Sequence, residues 1–214
     1  MSFGVILQQL GSGFLKTVLI FSVTLVLSLP LGWVVYFGRS SRNKIVSGLV
    51  IGFISIMSGT PLMLQLLLWY FGPFYLFRMN IGNYKFTALI IGFSLNYSAY
   101  FAEIYRSGVE AIDVGQYEAA QILGYSKLRT FVRIIFPQVM RIVMPAIGNE
   151  VITLVKDTSL AYSISYIEMF ALAKQIAAKE TTIIPFIVAG VFYYVFNYAV
   201  AKGITLTERK LAFY

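Results

Sequence analysis

The sequence contains no cysteine and no histidine, and it has few charged residues. Without thiols there can be no disulfides and no thiol chemistry, and the lack of both side chains argues against a zinc site built by the protein. We therefore predict no metal and no cofactor. Charged residues make up 12% of the chain and hydrophobic residues 58%, whereas a soluble domain usually carries about 25% charged residues. This deficit indicates that lipid is the main solvent of the chain.

Long uncharged runs cover residues 17–38, 45–77, 86–102 and 181–201. A helix needs about 20 apolar residues to cross roughly 30 Å of hydrocarbon. The sequence therefore predicts an all-α fold, a polytopic transmembrane helical bundle of about five spans that forms one domain over residues 1–214. The predicted spans are residues 14–38, 45–72, 84–105, 134–155 and 182–201. The fourth contains Arg141 and Glu150, and charges inside a span usually face a bundle interior or a cavity.

The net charge is +8, which in a soluble protein would suggest nucleic acid as a partner. Here no compact basic block is interleaved with aromatics, so we predict membrane lipid and no nucleic acid. Basic residues concentrate on the cytoplasmic side of membrane proteins. We therefore predict that the amino terminus lies outside and the carboxyl terminus in the cytoplasm. This orientation places eleven of the 17 Lys and Arg residues inside: Arg39, Arg42, Lys44, Arg106, Lys127, Arg129, Arg133, Arg141, Lys202, Arg209 and Lys210.

The second predicted span contains an interruption at Ser58-Gly59-Thr60-Pro61. Pro61 lacks a backbone donor and disfavours helical backbone at Thr60. Non-helical backbone at membrane depth persists only where protein or a water-filled cavity covers it. A simple proline kink and a functional break both fit this pattern.

Enzyme signatures are missing from the sequence. It has no Gly-x-x-x-x-Gly-Lys-Ser/Thr phosphate loop, so ATP is not bound in that way. It has no Gly-x-Ser-x-Gly elbow and no histidine for a triad. We therefore predict that the chain is not an enzyme.

The most polar stretch covers residues 106–133, and it contains a short predicted helix over residues 116–123. Ala119 and Ala120 give this helix a flat face of small side chains, and Gly124 can end it. The helix is too short and too polar to cross a membrane. Such a helix on the cytoplasmic side could serve as a docking surface or as an ordinary connection.

The order Glu118-Ala119-Ala120, Gly124 and then Phe136-Pro137 resembles the cytoplasmic loop of ABC importer permeases. Further blocks resemble the polar-amino-acid permeases of this family, and together they cover roughly residues 58–165. These blocks are Gly59-Thr-Pro-Leu-Met-Leu-Gln65, Ala99-Tyr-Phe-Ala-Glu-Ile-Tyr-Arg-Ser-Gly108, Pro145-Ala-Ile-Gly-Asn-Glu150 and Leu154-Val-Lys-Asp-Thr-Ser-Leu160. The chain departs from the subfamily at Ser58, where arginine is frequent, and at Phe136, where Leu or Ile is usual.

The resemblance implies a permease of the ABC type I importer class in the bacterial plasma (inner) membrane. It implies that residues 106–133 form a cytoplasmic coupling loop whose helix sits in a groove of a separate ATPase subunit, where ATP hydrolysis takes place. It also implies a second permease chain, the same or similar, with the solute pathway between the two, and an extracytoplasmic amino-acid-binding protein. The residues expected at the centre of the ATPase contact are Gly115, Glu118, Ala119, Ala120 and Gly124.

An amino acid carries an ammonium and a carboxylate, and both need partners outside bulk water. Asp157 is the candidate for the ammonium or for a cationic side chain. Thr158 and Ser159 could donate hydrogen bonds to the carboxylate. Further polar contacts could come from Gln65, Asn96 and Ser98. The alternative is that Asp157 pairs with Lys156 or another cation, while Gln65 and Asn96 make hydrogen bonds between helices, which are common in membranes.

Two other classes of function fit five spans. An ion-coupled secondary transporter or channel would work without an ATPase, and it predicts inverted repeats and ionisable residues aligned at mid-membrane. The two halves of the sequence show no clear repeat. A structural subunit of a membrane complex is the other possibility. A gene for an ATPase with a phosphate loop, beside this one, would favour the importer.

Overall fold

The computed structural model of the chain describes residues 1–212, and no strand occurs among them. The prediction of an all-α bundle is confirmed. The helices are α1 (Phe3–Arg39), α2 (Lys44–Gly59), α3 (Leu62–Phe77), α4 (Lys85–Glu110), α5 (Val114–Ile122), α6 (Lys127–Thr130), α7 (Phe136–Asp157), α8 (Met169–Glu180) and α9 (Ile184–Ala212). A π-helical turn (Phe131–Ile135) joins α6 to α7, and a 3-10 turn (Thr158–Ile164) follows α7.

Within the described residues, three helical stretches are long and apolar enough to cross a membrane: Phe3–Arg39, Lys127–Ile164 and Ile184–Lys210. The bent pair of α2 and α3 would make a fourth crossing. Helix α4 does not meet this criterion, although its 26 residues correspond to about 39 Å at 1.5 Å per residue. It is packed between α1, α2, α3 and α7, so it needs less apolar surface than a helix that faces lipid. Five crossings therefore stay a prediction.

The helices differ from the predicted spans in two respects. The span predicted over residues 45–72 consists of two helices, α2 and α3, whose axes differ by 112° at the predicted interruption, and its crossing of the membrane stays a prediction. The other helices extend beyond their apolar runs: α1 begins at Phe3, and α4 continues to Glu110. The hydrophobic pattern indicates only the part of a helix that faces lipid. The helix can extend beyond that part, because its backbone hydrogen bonds do not depend on apolar side chains.

Close packing of α4 depends on glycines at two contacts. A Cβ at Gly32 of α1 would lie 2.7 Å from Phe101 Cβ, and a Cβ at Gly108 of α4 would overlap the Val143 side chain of α7. Thr24 and Ser28, which precede Gly32 at helical spacing, are fully buried. Small residues let helix backbones approach closely in membranes, where van der Waals packing drives association. These contacts fix α4 at the centre of the bundle.

Helix α8 is held to α1 and α9 by the carboxylate of Glu168, which is completely buried. As the N-cap of α8, it accepts hydrogen bonds from the backbone N–H groups of Phe170 (2.7 Å) and Ala171 (2.8 Å). It also accepts hydrogen bonds from the hydroxyls of Thr17 in α1 and Tyr193 in α9, both at 3.2 Å. A buried carboxylate requires such donors. Four donors from three helices satisfy this one.

Candidate functional site

Two amide side chains make hydrogen bonds that stabilise the interruption at Thr60 and Pro61. The Gln65 Nε2 donates to the Met57 carbonyl (3.0 Å), the Thr60 carbonyl (3.2 Å) and the Thr60 hydroxyl (2.8 Å). The Asn96 Nδ2 of α4 donates to the same Met57 carbonyl and to Gln65 Oε1, both at 3.0 Å. Carbonyls that lose their helical partners at the proline are thereby satisfied. The two amides tie the break to the central helix.

Asp157, at the end of α7, accepts a hydrogen bond of 2.8 Å from the Tyr97 hydroxyl of α4. No ion pair joins it to Lys156 among the described residues. Thr158 is fully buried and donates to the Val155 carbonyl, while Ser159 donates to the Lys156 carbonyl. In this conformation these two hydroxyls are bonded to their own helix.

The predicted solute residues therefore form two groups. Gln65 and Asn96 are hydrogen-bonded to each other, whereas Asp157 is bonded to Tyr97, the neighbour of Asn96 in α4. Ser98 stands apart, since it is fully buried and donates to the Leu95 carbonyl of its own helix. The role of all six residues toward a solute stays a prediction.

Glu150 is a second carboxylate on the same side of α7, two helical turns before Asp157. Both are half-buried, and Tyr97 and Tyr100 of α4 lie within electrostatic reach of both. Asn149, Thr153 and Lys156 are also accessible on α7. We call this surface, formed by Tyr97, Tyr100, Glu150 and Asp157, the carboxylate face. Among residues 1–212, no cation forms an ion pair with either carboxylate, so this face is suited to binding an ammonium or a guanidinium group.

At the opposite end of the bundle, α5 has a cap at each terminus. The Asp113 carboxylate accepts a hydrogen bond of 2.6 Å from the Gly115 N–H at its start. Beyond its end, Gly124 adopts a left-handed conformation with φ +73°, which lets the Tyr125 N–H donate to the Ala120 carbonyl at 3.0 Å. The helix predicted over residues 116–123 thus has defined ends in the structure.

The two alanines of α5 differ in exposure. Ala120 is 1% exposed and packs against its own chain, whereas Ala119 is exposed together with Gly115 and Glu118. Ala120 is the only buried residue of α5. Burial raises the pKa of the Tyr117 phenol, and the Tyr36 phenol of α1 is a second, smaller cause. The Tyr117 phenol thus lies near that of Tyr36, and Ala120 marks the side of α5 that faces its own chain.

The outer side of this segment carries large apolar residues that sequence reasoning missed. Ile122 is 85% exposed, Leu123 73% and Leu128 74%. Basic residues flank them, including Lys127 and Arg129. Exposed apolar patches with a polar rim mark interaction surfaces. We call Ile122, Leu123 and Leu128 the apolar patch of the coupling segment, which comprises residues 106–133.

An ion-pair network joins α1 and α4 at the start of the coupling segment. Arg39, the last residue of α1, is paired with Glu103. Glu103 also binds Arg106 at 3.0 Å, and Arg106 binds Glu110 at 2.6 Å. Partly exposed pairs of this kind contribute about 0–1 kcal/mol each. Their effect is mainly to align the two helix ends.

Residues 28–212 match the family of inner membrane components of binding-protein-dependent transport systems. The chain is 38% identical to the nopaline transport system permease NocM of Agrobacterium fabrum, over 79% of this chain and 74% of that protein. It is 35% identical to the arginine transport system permease ArtQ of Bacillus subtilis, over 93% and 90% of the two chains. Its identity to the L-cystine transport system permease TcyB of Bacillus subtilis is 31%, over 94% and 86%.

Solved structures agree with these relatives. A chain of a crystal structure described as an amino acid ABC transporter with histidines matches with a TM-score of 0.86 and 30% identity, over 98% of this chain and 99% of that one. A chain of the methionine transporter MetNI matches with a TM-score of 0.72 and 16% identity, which shows the fold alone. The resemblance to ABC importer permeases is thus confirmed, and the apolar helices fit a multi-pass protein of the inner membrane. The chain belongs to the family of inner membrane components of binding-protein-dependent transport systems.

Proposed function

We propose that the chain is the permease subunit of an ATP-driven importer for amino acids with a cationic side chain. The observation that carries the proposal is the carboxylate face, which places Glu150 and Asp157 on one half-buried surface of the membrane-embedded bundle. An arginine-like solute has two cationic groups, so each carboxylate would meet one of them. The names of the relatives NocM and ArtQ, for nopaline and arginine, support a guanidinium-bearing solute. TcyB, named for cystine, shows that similar chains also serve other amino acids.

The translocation pathway would lie between this chain and a second permease chain. Polar and ionisable groups inside a membrane face a bundle interior or a cavity rather than lipid. In the single chain, Asn149 and Lys156 are exposed beside Glu150 and Asp157. A second chain covering this surface would enclose a polar pathway. Whether that chain is identical or only similar leaves the argument unchanged.

Separate ATPase subunits would bind the coupling segment at the cytoplasmic end. The apolar patch, with Ala119 and Glu118 beside it, offers the contact surface, and Gly124 fixes the turn behind it. An extracytoplasmic amino-acid-binding protein would deliver the solute at the other end. ATP binding would then shift the permease between inward-open and outward-open states, because the ATPases bind the two states with different affinities.

Reconstitution in liposomes tests the function directly. The permease, the ATPase encoded beside it and the matching binding protein are combined, and uptake is measured for arginine, lysine, glutamine and glutamate. We expect ATP-dependent uptake and stimulated ATP hydrolysis with arginine or lysine. Uptake that follows an ion gradient and needs no ATP would establish the secondary-transporter alternative instead. Equal uptake of glutamate would refute the role of the carboxylate face.

The orientation rests on the distribution of basic residues, with the carboxyl terminus in the cytoplasm and the amino terminus outside. We expect a fluorescent reporter that folds only in the cytoplasm to be active when fused to the carboxyl terminus. A reporter that works only outside the cell should be silent at the same position. The opposite result would reverse the orientation and place α5 away from any cytoplasmic ATPase.

A further inference from the structure

Trp33 lies near the cytoplasmic end of α1, half-buried among aromatic rings from three other parts of the chain. Its ring stacks on that of Tyr105 in α4, with centroids 4.2 Å apart and planes 11° from parallel. It also meets the rings of Phe131 at 5.7 Å and Phe136 at 5.4 Å. Phe131 begins the π-helical turn and Phe136 begins α7. One side chain therefore touches α4, the π-helical turn and α7.

These contacts lie at the two ends of the coupling segment, which we call its two arms. Tyr105 directly precedes it, and its hydroxyl donates to the Leu29 carbonyl of α1 at 3.2 Å. Phe131 lies at its other end. Helix α5 itself buries only Ala120, so a displacement of α5 reaches the transmembrane helices chiefly through these two arms. Both arms meet at Trp33.

The second arm, which leads into α7, contains the backbone element that we expect to deform most easily. Residues Phe131–Ile135 form a π-helical turn between α-helical segments. Such turns are rare and often occur at functional sites. This turn starts at the phenylalanine that contacts Trp33. A change in the turn would therefore alter the packing around the indole ring.

We propose that Trp33 is a positioning residue of the transport cycle: it transmits the movement of the coupling segment to α1. The inference rests on the proposed coupling to ATPase subunits. It adds that movement reaches α1, the helix packed along α4, through one aromatic cluster. The cluster consists of Trp33, Tyr105, Phe131 and Phe136. Phe and Trp pairs of this kind provide directional contact energy beyond simple burial.

The sequence contains two tryptophans, and the second is a matched control. Trp69 of α3 is also half-buried, so Trp33→Ala and Trp69→Ala remove the same side chain from different places. We expect Trp33→Ala to retain ATPase binding and basal ATP hydrolysis. Solute uptake per ATP hydrolysed should fall about two- to tenfold, the factor that loss of an aromatic pair produces. Trp33→Phe should restore most of it, and Trp69→Ala should leave the ratio near wild type.

The result that overturns the proposal is an unchanged ratio of uptake to hydrolysis in Trp33→Ala, or an equal loss in Trp69→Ala. Failure of the wild-type chain to bind any ATPase would instead refute the proposed function.

A second measurement tests the role of Trp33 even if the Trp33→Ala variant does not assemble. Permease labelled with 5-fluorotryptophan and combined with unlabelled ATPase gives two fluorine NMR signals, which Trp69→Phe assigns. We expect the Trp33 signal to shift when ATP binds to the ATPase, with a smaller shift for Trp69. A fixed Trp33 signal in a complex that transports would overturn the proposal.

Discussion

Replacing Leu123 by aspartate should abolish ATP-driven uptake while the permease stays folded. Leu123 and Ile122 are exposed in the single chain, so a carboxylate there does not disturb the bundle. In the complex, the same carboxylate would be buried in the ATPase groove without a partner. Loss of a central interface contact costs about 2 kcal/mol or more, equivalent to about 30-fold in affinity. We expect a loss of at least this size for Leu123→Asp and Ile122→Asp, measured by titrating ATPase onto permease in nanodiscs.

Gln121→Asp is the matched control, because it introduces the same charge on the same short helix. Gln121 is exposed and lines a cavity with Tyr117 and Tyr125, and it does not belong to the apolar patch. We expect a much smaller loss of ATPase affinity in this variant. Equal loss in Gln121→Asp and Leu123→Asp would mean that charge on α5 matters and that the apolar patch is not the contact. Ala120→Arg is a poorer test, since Ala120 is buried and the arginine would disrupt local packing.

Replacing Asp157 by asparagine should weaken uptake of a cationic amino acid by about 30-fold or more. Removal of one partner of a buried charge pair costs about 2–5 kcal/mol, because the other charge is left unpaired. Asparagine keeps the shape of the side chain and can still accept the Tyr97 hydroxyl, so assembly should be retained. The apparent affinity for arginine is measured in proteoliposomes together with basal ATP hydrolysis, which should persist. Glu150→Gln should have an effect of the same kind.

The control for this experiment is Glu110→Gln, which also neutralises a carboxylate. Glu110 is paired with Arg106 at the end of α4 that leads into α5, and its side chain is 63% exposed. Its replacement should leave arginine affinity unchanged. Normal affinity and selectivity in Asp157→Asn, in a protein that assembles, would show that Asp157 is structural. The carboxylate face would then not be the solute site.

The break between α2 and α3 and the end of α5 could be predicted from the sequence, because each depends on one local rule. Pro61 lacks a donor, and the chain breaks beside it; Gly124 tolerates a left-handed conformation, and a helix ends before it. The angle between α2 and α3 could not be predicted, because it depends on Gln65 and Asn96, which are distant from each other in sequence. Their hydrogen bonds form only when α3 and α4 pack together.

The features that sequence reasoning missed depend on tertiary contacts. Ala119 and Ala120 are the same residue type, yet only Ala120 is buried, because only one side of α5 faces the rest of the chain. Glu150 was visible as a charge inside a span, and its spacing of seven from Asp157 could have indicated a shared face. The apolar patch had a weaker signal, a pair of large aliphatic residues inside a polar segment. Glu168 gave no signal, since its donors are the backbone of α8 and hydroxyls in α1 and α9.

The hydrogen bonds of Glu168 have a consequence for biogenesis. Its donors include Thr17 in the first helix and Tyr193 in the last, and ribosomes deliver these helices to the membrane at opposite ends of synthesis. Until α9 has inserted, the carboxylate lacks one of its partners and remains costly to bury. The contact therefore cannot be complete in a nascent chain, and its closure marks the moment when the newly inserted helices become a finished bundle.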